Sequence, residues 1–243
     1  AAYNNNDLTD LEEAMKKDVK REVQMDMDGD GTTETYHVKI VNISLPSSCS
    51  QSTFSQTACG FVLEFTDILG KNRWNPYEWS NRYYAGNGTN GGWKNSEIRT
   101  YVNSTIYNKL PSDLKNNIIN TRVISNHRFN QSYNKSDKVA YHETTDKLYL
   151  LDPKEIWNEN VKYEETSSKT RQLDYYSYRN INLDEGYGEV IKRYNGEICY
   201  WWLRNAQTDN QPFYVTKNGY YGGWAYIEDA SKARGVSPAF RLG

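Results

Sequence analysis

The sequence predicts an α+β domain, with strands first, helices in the middle and strands again at the end. Three observations predict it. Apolar runs of strand length and composition lie at 36–43, 61–65, 198–203 and 236–242. Helical spacing with capping residues at its start lies between them, after Ser96, Ser112 and Asp152. The strands and helices do not alternate regularly, as they would in a parallel α/β sheet. At 243 residues the chain has the length of one large domain, with room for a small N-terminal appendage. The expected division is an N-terminal helix within 1–24 and a single α+β domain over 25–243.

Taken in order, Thr9 and Glu12 have the spacing of a capping box, opening a helix over about 10–23. Leu11, Ala14, Met15, Val19 and Val23 form one narrow apolar stripe, so this helix is expected to lie on a surface. Asp26 to Gly31 is a strong turn signal, followed by a strand at 36–43 in which Tyr36, Val38 and Ile40 alternate with the rest. A second strand is expected at 61–65, then a loop rich in Trp, Asn, Tyr and Gly over 71–93. Ser96 caps a helix carrying Ile98, Tyr101, Val102, Ile106 and Leu110 on one face, and Pro111 ends it. Ser112 caps a second, shorter one. Residues 123–124 and 147–151 look like strands, and Asp152 with Pro153 makes an N-cap and first helical position. No period stands out over 158–196. The close is β again, at 198–203, 213–215, 224–227 and 236–242, with Asn218-Gly219 as a turn.

Composition bounds the function. The net charge is −2 with no basic stripe, which argues against a nucleic-acid partner. No apolar run approaches a membrane span, which argues against direct membrane insertion. Aromatic residues make up 14% of the chain, 21 of them Tyr, so the core is expected to be built heavily from Tyr and Trp. Cys49 and Cys59 close a short polar segment, either as a disulfide or as two free thiols. Cys199, in an apolar run, is expected to be buried.

Three blocks carry a resemblance. They are Gly92 to Asn103, Asp146 to Asp152 with Glu155, and Trp201-Trp202-Leu203-Arg204-Asn205 leading to Gly235-Val236-Ser237-Pro238-Ala239-Phe240-Arg241-Leu242. In this order and spacing the chain resembles a family of bacterial surface-protein domains of unknown function, over roughly 36–243. That family is similar to C-type-lectin-like folds, and its closing strand looks like that of formylglycine-generating-enzyme-like domains. The resemblance implies an antiparallel sheet with two or three packed helices and long loops, and a secreted or cell-surface binding role. The chain departs from both better-known relatives. Gln211-Pro212-Phe213 lacks the acid that ends a calcium-dependent lectin's tripeptide, and there is no Trp-Asn-Asp. Only Cys199 lies late in the chain, which lacks the late cysteine pair of the formylglycine-generating enzymes.

Two constellations could bind something. Asp26, Asp28 and Asp30 are spaced by two and followed by Gly31, with Glu34 at the ninth place of the loop. Such carboxylates suit Ca²⁺, a hard ion that takes six to eight oxygens. His37 occupies the twelfth place, where an EF-hand needs Glu. A calcium loop and a plain polar turn therefore stand level here. The second constellation is a late, aromatic one: Tyr220, Tyr221, Trp224 and Tyr226, with Arg204, Asn205 and Asp209 nearby in sequence. Flat rings beside amides and acids suit a sugar or a protein surface, and they suit loop packing equally well. No HExxH, GxSxG or phosphate-binding loop is present. The reading is a non-enzymatic extracellular or cell-surface module that binds a glycan or a protein. A glycan hydrolase using a carboxylate pair, or a structural spacer, are the alternatives.

Overall fold

The computed structural model describes residues 8–75, 92–128, 139–157, 169–183, 185–208, 211–222 and 230–243. It is mixed α+β, with mostly antiparallel sheets and short helices.

The chain opens with α1 (Thr9–Lys16) and turns directly into β1 (Lys20–Met25). This corrects the single helix expected over 10–23. The helix stops because the amide of Asp18 bonds the carbonyl of Met15 and that of Val19 the carbonyl of Ala14. Asp18 itself sits at φ +55°. This is the left-handed helix terminator that glycine normally fills. Val19 is then exposed, and Val23 is buried in a strand. The helix start also differs from expectation: Leu8 flanks it and makes no side-chain cap bond.

The first sheet is ordered β1–β2–β3–β14–β7 and is antiparallel throughout. It comprises β1, β2 (Glu34–Asn42), β3 (Val62–Phe65), β14 (Ala239–Arg241) and β7 (Leu148–Tyr149). The boundary expected between 24 and 25 falls inside β1, whose Val23 and Met25 join the main core with Met15 of α1. The second sheet is ordered β12–β11–β10–β13–β4, from β4 (Gly70–Asn72), β10 (Trp201–Thr208), β11 (Gln211–Val215), β12 (Tyr221–Gly222) and β13 (Arg234–Val236). Its β10–β13 pairing is parallel. Two further hairpins join β5 (Thr121–Arg128) to β6 (Val139–Asp146), and β8 (Lys192–Tyr194) to β9 (Glu197–Cys199).

Between the sheets the middle of the chain is helical. The Ser96 hydroxyl caps α2 (Glu97–Thr100) by accepting the Arg99 amide at 3.2 Å, as its sequence position predicts. The helix continues as a wide π turn over Tyr101–Ile106 and ends with α3 (Tyr107–Lys109); α4 (Ser112–Asn117) follows Pro111. The π turn turns Asn103 towards the start of β7. Asn103 Oδ1 accepts the amides of Lys147 and Leu148, while its Nδ2 donates to the carbonyls of Leu148 and Arg99. The expected strand at 147–151 shrinks to two residues: Asn103 takes the amide of Lys147, while Arg204 takes the carbonyl of Leu150 with its guanidinium and that of Leu151 with its amide.

The aromatic core forms as composition predicts. Trp74, Trp93, Trp157, Trp201 and Trp202 are fully buried. Four of these indoles donate inside the molecule, to Leu203 O, Asp146 Oδ2, Val190 O and Asn72 O respectively for Trp74, Trp93, Trp201 and Trp202. That is how such large rings enter a core without stranding a donor. Cys49 and Cys59 are disulfide-bonded with Cα atoms 5.9 Å apart, and Cys199 is free and buried. Among the described residues no helix is long and apolar enough to cross a membrane.

Candidate functional site: a charge-balanced cavity on the first sheet

Strand register builds the site. Lys20 of β1 pairs with Lys39 of β2, and Lys39 pairs with Glu64 of β3, so three charged side chains stand in one row across the sheet. Over this row lie α6 (Asp174–Tyr178) and a single helical turn at Gly188–Val190 that leads into β8. Together they form an open cavity of about 360 Å³ lined by Asp18, Lys39, Glu64, Tyr175, Glu189 and Lys192, among others. With Lys20 included, three acids face three bases, and the cavity is electrically balanced.

Glu64 is the centre of the site and is fully buried. It accepts one hydroxyl, that of Tyr176, at 2.9 and 3.0 Å to its two oxygens. Its ion pairs are long, 3.5 Å to Lys39 Nζ and 3.4 Å to Lys192 Nζ. Lys39 Nζ lies 3.5 Å from Asp18 Oδ1 and 3.7 Å above the centre of the Tyr175 ring. Asp18 Oδ1 is itself buried without a hydrogen-bond partner. Lys192 is held more firmly, donating to Phe65 O at 2.6 Å and Ser237 Oγ at 2.9 Å. Burial pushes the Lys192 ammonium down to about 8, against the pull of Glu64. Burial, reinforced by the Glu64 charge, holds the Tyr176 hydroxyl well above its ordinary value; burial and then Asp18 do the same for Tyr175.

A second buried ionic cluster shows what saturation looks like. Glu155 accepts both Arg204 Nη1 and Nη2 at 2.6 Å, Thr170 Oγ1 at 2.8 Å, the Asp152 amide at 2.9 Å, and the Thr57 hydroxyl. Asp152 in turn accepts the Lys154 amide and Asn205 Nδ2, so its side chain caps the head of α5 (Pro153–Trp157) while Glu155 reaches back to the Asp152 amide. Burial raises Asp152 above the usual carboxylate range despite Arg204. With five donors on Glu155 and all partners inside the core, this cluster fastens the fold and offers a ligand nothing.

The expected site residues therefore separate. Arg204 and Asn205 were expected near a ligand surface; both side chains are fully buried, in the structural cluster just described. Tyr220 is exposed, with its ring against Gly186, whereas Tyr221 is half-buried edge-on to Trp157 at 5.6 Å. Asp209, Trp224 and Tyr226 lie outside the described residues. In the acidic loop, Asp26, Asp28, Asp30 and Glu34 do come together, each offering an oxygen within 4.8 Å of the others. These carboxylates also accept the loop's own amides: Asp26 those of Gly29 and Gly31, Asp28 that of Asp30, Asp30 that of Thr32, and Glu34 that of Met27. Those bonds are what a polar turn needs in any case.

Sequence reasoning did not single out Asp18, Lys39, Glu64, Tyr175 or Lys192. One signal was available: Lys39 and Glu64 are opposite charges in the middle of apolar strands, Val38-Lys39-Ile40 and Leu63-Glu64-Phe65. A charge in such a place is buried only when paired.

Comparison with known proteins gives a family and no function. A family described as a domain of unknown function, DUF6273, matches residues 62–243. No curated protein and no solved structure matches the chain.

Proposed function

Because the chain belongs to the DUF6273 family of domains of unknown function, we propose, on the cavity's own chemistry, a non-enzymatic binding module that takes a glycan at Asp18, Lys39, Glu64 and Tyr175. The observation that carries the reading is the incomplete satisfaction of buried polar groups around one cavity. Buried polar atoms are ordinarily hydrogen-bonded, and each exception asks for a cause. Here Asp18 Oδ1 is buried with no hydrogen-bond partner, and Glu64, whose short bonds both come from the one Tyr176 hydroxyl, meets its two lysines only at 3.4 and 3.5 Å. A charge-balanced pocket disfavours an ion, because any net charge brought in would be uncompensated. It favours a neutral ligand dense in donors and acceptors, and a saccharide is that. The Tyr175 ring lines the same cavity, with the Lys39 ammonium over its centre. The volume is at the small end of ligand pockets, suited to one or two sugar units.

An extracellular or cell-surface setting belongs to the same proposal, supported by the Cys49–Cys59 disulfide, since such bonds persist in oxidising compartments. So does a C-type-lectin-like arrangement of the two sheets, which fits the closing strand at 239–241 beside β3.

The test is a glycan array of the purified chain beside Glu64→Gln, with hits followed by calorimetry. Specific saccharide binding that Glu64→Gln abolishes is the expected result. A blank array, with binding instead to a host or bacterial protein, would replace the glycan by a protein ligand. Running the array in calcium and in chelator also tests the Ca²⁺ expected at Asp26, Asp28, Asp30 and Glu34. A hydrolase reading has one observation in its favour, that two carboxylates, Asp18 and Glu64, flank the same cavity. The Lys39 ammonium wedged between them argues against it, since a glycosidase needs one of its pair to carry a proton. Release of reducing ends from bound glycans would decide for the hydrolase.

A further inference from the structure

Resting on that binding reading, we infer that the selectivity of the cavity is set by the segment ahead of the family domain, through Asp18 and Lys39. The family match begins at residue 62. Glu64, Tyr175, Glu189 and Lys192 lie inside it; Asp18, Lys20 and Lys39 lie before it and line the same cavity, Lys20 and Lys39 in the sheet row beside Glu64. The two sets differ in how firmly they are held. Glu64 and Lys192 are fixed by Tyr176, Ser237 and the Phe65 carbonyl, all within the family span. The hydrogen bonds of this anchor all come from the family span. Lys39 meets Asp18 and Glu64 at 3.5 Å each, with its ammonium over the Tyr175 ring, and Asp18 Oδ1 has no hydrogen-bond partner, so these two groups are held by no short bond that a ligand would have to break.

The backbone supports a role for Asp18. It occupies the left-handed position at the end of α1, at φ +55°, where glycine costs least. A glycine there would end the helix equally well and place no carboxylate at the cavity. Unfavourable backbone conformations of this kind gather at functional positions. Lys39 reaches the cavity because β2 hydrogen-bonds β3 with Lys39 directly opposite Glu64. A different segment docked on β3 would keep the anchor and present different groups across from it.

The experiment compares the unaltered chain with Asp18→Asn, Lys39→Met and Glu64→Gln on the same glycan array, with calorimetry on the best three sugars. Asn accepts the left-handed conformation as readily as Asp, so Asp18→Asn keeps the turn while removing the charge, and melting curves check that the fold is undisturbed. Melting curves screen Lys39→Met for the same property. Glu64→Gln is expected to weaken every sugar together. Asp18→Asn and Lys39→Met are expected to change the order of preference, with affinity ratios between sugars moving about tenfold, the worth of one charge-assisted hydrogen bond. Saccharide binding whose strength and order are unmoved in both variants would overturn this inference and leave the binding reading intact. No saccharide binding by the unaltered chain would overturn both.

Discussion

Arg204 shows how one side chain can be visible in a sequence while its role stays hidden. Its position beside Trp201-Trp202 marks it as special, and a carboxylate partner is a natural expectation, but nothing local says whether that partner is a ligand or Glu155, 49 residues away. The answer depends on Arg204 lying at the crossing of β10 with the head of α5, which is a tertiary fact. Because the guanidinium is fully buried, removing its partner leaves a charge without compensation. Glu155→Gln should therefore destabilise the chain by about 3–5 kcal/mol, read as a lower midpoint in urea unfolding. A loss under about 1 kcal/mol would mean that Asp152 alone, 3.4 Å from Arg204, suffices. The N-cap at Asp152 and the hydroxyl cap at Ser96 were legible, because caps are local rules. Glu64 and Lys39 were not singled out, because their burial follows from strand pairing between residues 25 apart.

At the scale of elements, the error over 10–23 is instructive. Val19 and Val23 continue the helical stripe of α1, so period alone does not separate one long helix from a helix followed by a strand. The boundary lies in a helix terminator built on Asp18, and without a glycine that turn leaves no mark in the sequence. The polar stretch over 158–196 was unreadable for another reason: among its described residues the elements, α6, β8 and a single helical turn, are each five residues or fewer, too short for any period. The π turn over Tyr101–Ile106 is the element most exposed to a single change. Asn103 serves four backbone groups there. Asn103→Ala should cost about 1–3 kcal/mol through stranded backbone amides, and hydrogen exchange at Lys147 and Leu148 should quicken selectively. Unchanged protection at those two amides would show that β7 is held by β14 alone.

Across the whole molecule, the α+β class and the Tyr- and Trp-built core were legible from composition and from the order of elements, and the division at 24/25 was not. β1 and β2 form one edge of the first sheet, outside the family match but within the same core. A chain shortened to begin at Val62 should fail to fold, giving no cooperative thermal transition and poor chemical-shift dispersion; a sharp transition would make the first 61 residues a true appendage. The stability of the intact chain should also depend on pH in a particular window. Lys192 titrates near 8 when folded and near 10.5 when unfolded. Between those values the unfolded chain holds the extra proton, so stability rises with pH. Above about 10 the buried Tyr175 and Tyr176 reverse the slope, because the unfolded chain loses their protons first. Melting temperature should climb from pH 8 towards 10 and then fall, and Lys192→Met should flatten the climb. The order β1–β2–β3–β14–β7 has one more consequence, for how the protein is made. The strand that joins β3 to β7 is residues 239–241, so the sheet stays in two pieces until those residues have left the ribosome. Before then β1, β2 and β3 can pair as one piece, but β7 has no neighbour in the sheet and one edge of β3 stays open until residues 239–241 arrive.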